Sequence, residues 1–259
     1  MRLGRINGYS IADFEKVKEQ GLSFIEICTN NQEEAERQIA HSEEIKELVK
    51  SSGIDVSCIG RWNHDINTKG YIHEERMQVY LAQLESAISI GAKTFVCGCN
   101  KDEGVSLYKN YSCAIELFGR LLEKADGRIS VAVENCDWNN FIVSPRDWEI
   151  VLGELPDLRI KYDCSHAYNR GHNYLDELSD WGEKIAHFHI KGTTHAGKRW
   201  VDDPPAGMDD IKWGSVFAIL YARGYKGDLS IEPHSRTWRG ELGDAGVAFT
   251  KQYIEQFIL

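Results

Sequence analysis

Strand-like and helix-like segments alternate eight times along the chain, and this alternation restricts the fold more than any other feature of the sequence. Short apolar runs predict strands at residues 3–6, 23–28, 55–59, 94–97, 129–134, 159–163, 186–190 and 229–232. Helical patterns predict helices at residues 11–20, 32–51, 73–90, 108–125, 145–152, 174–181, 213–221 and 245–258. Alternating elements favour a parallel sheet with helical crossovers. Because 259 residues match the size of one closed barrel, we predict an α/β fold, a (β/α)8 TIM barrel that forms a single domain from residues 1–259.

Local signals support the ends of several predicted helices. Ser144 precedes Pro145, which is the order expected when a capping residue is followed by proline in the first helical position. Glycines that are expected to end helices follow four of the helical runs, at Gly21, Gly53, Gly91 and Gly224. The alternation therefore rests on boundary signals as well as on hydrophobic periodicity.

The composition of the chain argues against nucleic-acid and membrane partners and indicates a cellular location. The net charge is −10 and no basic cluster is present, so we expect no nucleic-acid partner. No apolar run is long enough to cross a bilayer, and the N-terminus leads directly into a strand-like run, so we expect neither membrane association nor a signal peptide. The seven cysteines are scattered and odd in number, which indicates free thiols and a cytoplasmic location.

Four potential metal ligands come at the ends of the last four predicted strands: Glu134, Asp163, His189 and Glu232. In a (β/α)8 barrel, the C-terminal ends of the strands converge on the face that carries the active site. All four residues share the side-chain parity that faces the barrel axis, because the apolar residues of the opposite parity are expected to face the helices. Three carboxylates and an imidazole in one pocket form a hard, open site for a divalent metal. We therefore predict Glu134, Asp163, His189 and Glu232 as metal ligands.

Five further residues are predicted to contact a substrate. His166 lies three positions after Asp163, where contact with a substrate or support of a ligand is favoured and a second metal or a plain loop position stays open. Lys191 lies one pleat beyond His189, where its ammonium group would hold a substrate oxygen. Trp62 and His64 come after the third strand and would form a stacking wall for a sugar ring. Glu26 has inward parity on the second strand and would hydrogen-bond a hydroxyl group.

Four segments of the chain resemble the xylose isomerase-like TIM-barrel superfamily of sugar isomerases and epimerases. The matching segments are Val133-Glu134-Asn135, Asp163-Cys-Ser-His166, His187-Phe-His189-Ile-Lys191 and Ile231-Glu232-Pro-His234. The chain looks most like the branch that includes tagatose/psicose 3-epimerases and inosose isomerases and dehydratases. This resemblance implies one divalent ion on the four predicted ligands, with Mn²⁺ as first choice and Mg²⁺, Co²⁺ or Zn²⁺ as alternatives. It also implies that Glu134 and Glu232 are the paired catalytic acid and base, that a small sugar or polyol is the substrate, and that the protein is a homo-oligomer.

One departure from the resemblance leaves the reaction open. Ketose 3-epimerases carry an arginine shortly after the histidine ligand, whereas residues 191–198 of this chain contain none. The main hypothesis is a sugar isomerase or epimerase that works through a cis-enediolate. The alternatives are a dehydratase or lyase acting on a keto-inositol or a 3-keto-glycoside, a phosphodiester hydrolase like the abasic-site endonucleases, and a non-catalytic sugar-binding module.

Overall fold

Eight parallel strands close into a barrel in the computed structural model, which describes residues 1–259. The strands, numbered here in chain order, are β1 Arg2–Ile6, β2 Phe24–Thr29, β3 Asp55–Arg61, β4 Thr94–Cys97, β5 Ser130–Glu134, β6 Arg159–Asp163, β7 Ile185–Ile190 and β8 Asp228–Ile231. Each strand pairs with the next one along the chain, and β1 pairs with both β2 and β8. The predicted α/β class and (β/α)8 barrel are confirmed.

Helices surround the barrel and keep the predicted order. Their bounds are Ile11–Glu19, Gln32–Ala40, Ser42–Ser52, Glu74–Ile90, Leu107–Ala125, Pro145–Glu154, Cys164–Asn169, Tyr174–Trp181, Trp213–Ala222 and Gly240–Glu255. The single helix predicted at residues 32–51 was wrong, because the structure has two helices that meet at His41. The hydroxyl group of Ser42 donates to the carbonyl of Ile39 at 2.6 Å, which is the local side-chain bond that competes with continuous helix. The short helix Cys164–Asn169 was not predicted.

The predicted capping signals are present. Gly21, Gly53, Gly91 and Gly224 all have positive φ angles, between 64° and 91°, as left-handed residues at helix ends do. At the start of Pro145–Glu154, the carboxylate of Asp147 accepts from the backbone N–H of Ser144 at 3.0 Å. These glycines and this capping hydrogen bond mark where the helices end and where Pro145–Glu154 begins.

Side-chain alternation divides the interior into two layers. The main hydrophobic core lies between strands and helices and includes the predicted helix-facing residues Val131, Val133, Tyr162, Phe188, Ile190, Leu229 and Ile231. A separate small cluster of Cys58, Val96 and Ala132 is buried on the other parity, inside the barrel. The barrel axis is therefore packed with small side chains at that level, and its polar residues lie on the same parity nearer the C-terminal ends of the strands.

Asp228 joins several elements at the N-terminal end of the barrel. Its carboxylate accepts two hydrogen bonds from Arg2, at 2.9 and 2.8 Å. It also accepts from Ser57 at 2.6 Å and from Lys93 at 3.1 Å. These donors hold the pKa of Asp228 at about 2, although burial acts in the opposite direction. This network connects β8 to β1 and β3 at the end opposite the predicted site.

The cysteines and the helices can be compared with the expectations from composition. All seven cysteines are free, as predicted. The structure has no helix that is both long enough and apolar enough to cross a bilayer.

Candidate active site

The four predicted metal ligands lie at the C-terminal end of the barrel, on four consecutive strands or directly after them. Glu134 ends β5, Asp163 ends β6, His189 is near the end of β7, and Glu232 comes directly after β8. Strand pairing places Asp163 beside His189. Glu134, Asp163 and His189 are fully buried, whereas the side chain of Glu232 is 18% exposed. The site therefore has a buried floor and one carboxylate that reaches the opening.

Three of the four side chains converge closely enough to share an ion. Ligand atoms of Asp163, His189 and Glu232 all lie within 4.8 Å of one another. Glu134 is outside this trio, but its Oε2 atom is buried without a hydrogen-bond partner, and so is Oδ2 of Asp163. Buried carboxylate oxygens are rarely left without a partner, so two of them in one site call for an explanation such as a bound cation. The donor set and these two oxygens fit a hard divalent metal.

His189 is held from inside the barrel by Glu26. Its Nε2 atom is 2.9 Å from both carboxylate oxygens of Glu26, and its Nδ1 atom is 2.7 Å from Oε2 of Glu232. His187 also contacts Glu26, with its Nε2 atom 2.8 Å from Oε2. Burial alone would raise the pKa of Glu26, but the two histidines hold it well below its ordinary value. An ionised carboxylate only accepts hydrogen bonds, so both histidines carry a hydrogen on Nε2.

The predicted role of Glu26 as a ligand for a substrate hydroxyl is therefore corrected. Glu26 is fully buried, and both of its oxygens are engaged by histidines rather than exposed to a ligand. A carboxylate in this position orients the imidazole of His189 and leaves its Nδ1 atom directed to the site.

His64 also differs from its prediction as part of a sugar-stacking wall. It is buried, with Nε2 at 2.7 Å from Oε1 of Glu134 and Nδ1 at 3.1 Å from the hydroxyl group of Tyr80. Burial lowers the pKa of His64 to about 3, so the imidazole is neutral. His64 thus makes a hydrogen bond with Oε1 of Glu134, and Oε2 of Glu134 has no hydrogen-bond partner.

An open cleft of about 440 Å³ lies above the buried ligands. Three of the predicted substrate residues, Trp62, His166 and Lys191, line it together with Glu232. The ammonium group of Lys191 is 3.1 Å from Oε1 of Glu232. Burial lowers the pKa of His166 to about 3, and its Nε2 atom is 3.6 Å from Oδ2 of Asp163. The cleft therefore combines an aromatic wall, a cation and a neutral imidazole around one partly exposed carboxylate.

The sequence analysis did not identify Lys161, which belongs to the site. Lys161 is fully buried on β6, and strand pairing places it beside Glu134. Burial disfavours its charge, but the carboxylates of Glu232 and Asp163 keep its pKa above the ordinary value. The signal was available, because Lys161 precedes Asp163 by two positions and so shares its inward parity.

The two glutamates have different surroundings. Burial raises the pKa of Glu134 well above its ordinary value, although Lys161 opposes the shift. Burial acts in the same direction on Glu232, but Lys191 and His189 hold the pKa of that carboxyl well below its ordinary value. The fold therefore places two chemically distinct carboxyl groups on one site.

Comparisons with known proteins agree with this architecture. The family model described as "Xylose isomerase-like TIM barrel" matches residues 14–253. A search of curated proteins finds no significant match.

Solved structures similar to this chain include three sugar epimerases. One is 3-keto-D-glucoside 4-epimerase from E. coli, with 18% identity, coverage of 99% of both chains and a TM-score of 0.76. Another is D-psicose 3-epimerase from Clostridium cellulolyticum H10, with D-tagatose, at 14% identity, coverage of 100% of this chain and 99% of that chain, and a TM-score of 0.79. The third is D-allulose 3-epimerase from Methylomonas sp. in complex with D-allulose, at 16% identity, coverage of 99% of this chain and 96% of that chain, and a TM-score of 0.78. At these identities the similarity shows a shared fold.

Proposed function

Because the chain belongs to the xylose isomerase-like TIM-barrel family, we propose that it is a divalent-metal-dependent isomerase or epimerase of a keto-sugar or keto-polyol. The observation that carries this proposal is the convergence of Asp163, His189 and Glu232 within 4.8 Å at the base of a cleft. Glu134, with one free buried oxygen, supplies a second glutamate at the same site. The sugar epimerases of the same fold support this class of substrate.

Glu134, Asp163, His189 and Glu232 would hold the ion, and Mn²⁺ suits this oxygen-rich set, as do Mg²⁺, Co²⁺ and Zn²⁺. When bound, a divalent ion would polarise a neighbouring carbonyl oxygen as a Lewis acid. Glu26 would keep the Nδ1 atom of His189 available to the ion. These assignments explain why a barrel interior carries so many carboxylates.

Proton transfer is assigned to the two glutamates. One removes the proton from the hydroxyl-bearing carbon next to the carbonyl group, which leaves a cis-enediolate, and the other returns a proton. Return to the opposite face of the same carbon gives an epimer, and return to the former carbonyl carbon gives an isomer. Trp62, His166 and Lys191 would bind the sugar, since all three line the cleft.

Elimination is the second candidate, and the position of Lys191 favours it. Its ammonium group lies in the cleft, 3.1 Å from Glu232, where it would stabilise the negative charge that develops on the oxygen of a leaving group. If a leaving group lies β to the carbanion, the same first step makes the protein a dehydratase, or a lyase of a 3-keto-glycoside. The two candidates share proton abstraction and differ only in the second step, which is reprotonation in one and loss of the leaving group in the other.

We expect metal-dependent exchange of an α-proton with solvent. Manganese-loaded protein is incubated in deuterated water with a panel of ketoses, inososes and 3-keto-glycosides, with and without a chelator, and monitored by NMR. We expect the α-proton signal to be lost with the manganese-loaded protein. We expect no such loss when the chelator is present or when Glu134→Gln or Glu232→Gln replaces the unaltered protein. The matched control is Glu177→Gln, because Glu177 is a buried carboxylate that bonds Tyr162 on the helix side of β6.

The products distinguish epimerisation, isomerisation and elimination. A Gln variant that still exchanges the proton removes that glutamate as an essential base. Absence of exchange from the whole panel, with metal bound, would favour the hydrolase or the binding module instead. Free cysteines support a cytoplasmic location for the enzyme, and a homo-oligomer is the expected assembly.

A further inference from the structure

Another group of side chains that could hold a metal ion lies at the wall of the cleft. Ligand atoms of Cys136, Asp137 and His166 are within 4.8 Å of one another. Cys136 and Asp137 come after β5, and His166 lies in the short helix after β6. None of the three belongs to the four ligands assigned above. The neighbouring loops of β5 and β6 thus bring together a thiol, a carboxylate and an imidazole.

These three side chains are free of competing side-chain partners. The sulfur of Cys136, the carboxylate of Asp137 and the ring of His166 make no hydrogen bond to another side chain. The nearest charged contact is the 3.6 Å approach of His166 to Asp163. Cys136 is 8% exposed and, with His166, lines the cleft, whereas Asp137 is exposed. A cation entering from solvent would therefore reach all three without displacing another side chain from them.

The chemistry of this group differs from that of the site below it. Sulfur and imidazole ligands select thiophilic or borderline ions such as Zn²⁺ and Cd²⁺, whereas carboxylates select Mn²⁺ and Mg²⁺. Three protein ligands with one open position is a common arrangement around zinc. The two groups are therefore matched to different ions.

We propose that Cys136, Asp137 and His166 form a second metal site, selective for a thiophilic divalent cation, whose occupation obstructs the cleft. The sulfur–metal bond forms as the thiol proton leaves to solvent. Because Cys136 and His166 line the same cleft as Glu232 and Lys191, an ion here occupies space that a sugar needs. Binding at this site does not depend on the proposed function, but inhibition does.

Cadmium is the probe for binding. Manganese-loaded protein is titrated with Cd²⁺ while the sulfur-to-cadmium charge-transfer absorption is recorded, and retained manganese is measured by electron paramagnetic resonance. One equivalent of Cd²⁺ should produce the band without release of manganese. Cys136→Ser should abolish the band, and His166→Asn should weaken binding by more than the roughly tenfold typical of losing an outer partner of a metal ligand.

Cys28→Ser is the matched control, because Cys28 lines the same cleft but lies outside this group. Its band should match that of the unaltered protein. The proposed site is refuted if the absorption band persists in Cys136→Ser or is lost in Cys28→Ser. It is also refuted if manganese is released in step with cadmium uptake. Manganese retention by Cys136→Ser shows that this variant is folded.

Inhibition is measured separately with any substrate that shows α-proton exchange. Cd²⁺ should slow exchange by the manganese-loaded protein, and Cys136→Ser should be resistant. If no substrate exchanges, the proposed function fails while the absorption titration still decides the site. If Cd²⁺ binds as described but exchange is unaffected, the site stands and its obstruction of the cleft is refuted.

Discussion

Replacing Glu26 by Gln should weaken metal binding although it removes none of the proposed ligands. The Nε2 atom of His189 is 2.9 Å from each oxygen of Glu26. A glutamine side chain has one oxygen and one NH2 group, and the NH2 group only donates. Whichever way the amide turns, it therefore places an N–H group against the Nε2–H of His189. The remaining amide oxygen can still accept from Nε2–H, but the hydrogen bond to a charged carboxylate is lost and the NH2 group crowds the imidazole.

The loss of Mn²⁺ affinity can be estimated from the hydrogen bond between Glu26 and His189. A hydrogen bond to a charged group contributes about 1.5–3 kcal/mol, and the variant loses one that positions a ligand. Loss of such an outer partner typically reduces metal affinity by about 10–100-fold. We expect the dissociation constant of Mn²⁺ for Glu26→Gln to rise within that range, as measured by paramagnetic resonance of free manganese.

The control is Asp228→Asn, at the other end of the barrel. Asp228 is also a buried carboxylate with several donors, so its loss should lower the free energy of unfolding in urea. It has no contact with the site, so its affinity for Mn²⁺ should be unchanged. The positioning role of Glu26 is refuted if the affinity of Glu26→Gln for Mn²⁺ stays within about threefold of that of the unaltered protein. It is also refuted if both variants lose the same affinity for Mn²⁺.

Three further predictions concern other residues of the barrel. The carboxyl of Asp228 has a pKa lowered from 3.8 to about 2, so it adds stability above pH 4 that is lost as the pH falls through 2. The full effect is about 2 kcal/mol, and the difference in free energy of unfolding in urea between the unaltered protein and Asp228→Asn should shrink by about 1 kcal/mol between pH 7 and pH 3, whereas a constant difference contradicts this. Lys161→Met should tighten Mn²⁺ binding by roughly tenfold in the same resonance assay, because it removes an ammonium group beneath the carboxylates; weaker binding would indicate a purely structural role. In Gly98→Ala, the new Cβ would lie 2.7 Å from Nε2 of His64. We expect that it disrupts the contact of His64 with Glu134 and lowers Mn²⁺ affinity, while Gly153→Ala, with open space around its Cβ and no left-handed φ, should not.

The sequence predicted the barrel because each strand and helix carries its own local signals. Eight apolar runs, four terminal glycines and the Ser144-Pro145 start were sufficient to order the elements. The break at His41 was missed because the hydroxyl group of Ser42 beside it contacts both the carbonyl of Ile39 and the hydroxyl of Ser86 on another helix, and such a tertiary contact has no signal in the local sequence. Two short antiparallel hairpins outside the barrel were also not predicted, because their strands are too short to show periodicity; they are Asn67–Thr68 with Tyr71–Ile72 and Thr194–Ala196 with Arg199–Asp202.

The candidate site was predictable only in part. Parity and strand ends predicted which side chains face the axis, and Asp163, His189 and Glu232 do converge. Parity does not tell which inward residue contacts another, so Glu26 and His64 were predicted to bind substrate. Those contacts depend on the stagger of the closed barrel, which brings β2 across to β7 and the loop after β3 across to β5.

The division between strands and loops determines which positions of the site can be varied separately. Glu26, His187 and His189 are anchored inside the barrel, whereas Trp138 and His234 reach the cleft from the segments that come after β5 and β8. Neither Trp138 nor His234 takes part in the hydrogen bonds that join Glu26 to the two histidines, so replacing them should reshape the cleft and leave that anchor in place. A mutagenesis library confined to these two positions is therefore expected to vary what the cleft accommodates independently of the side chains on its floor.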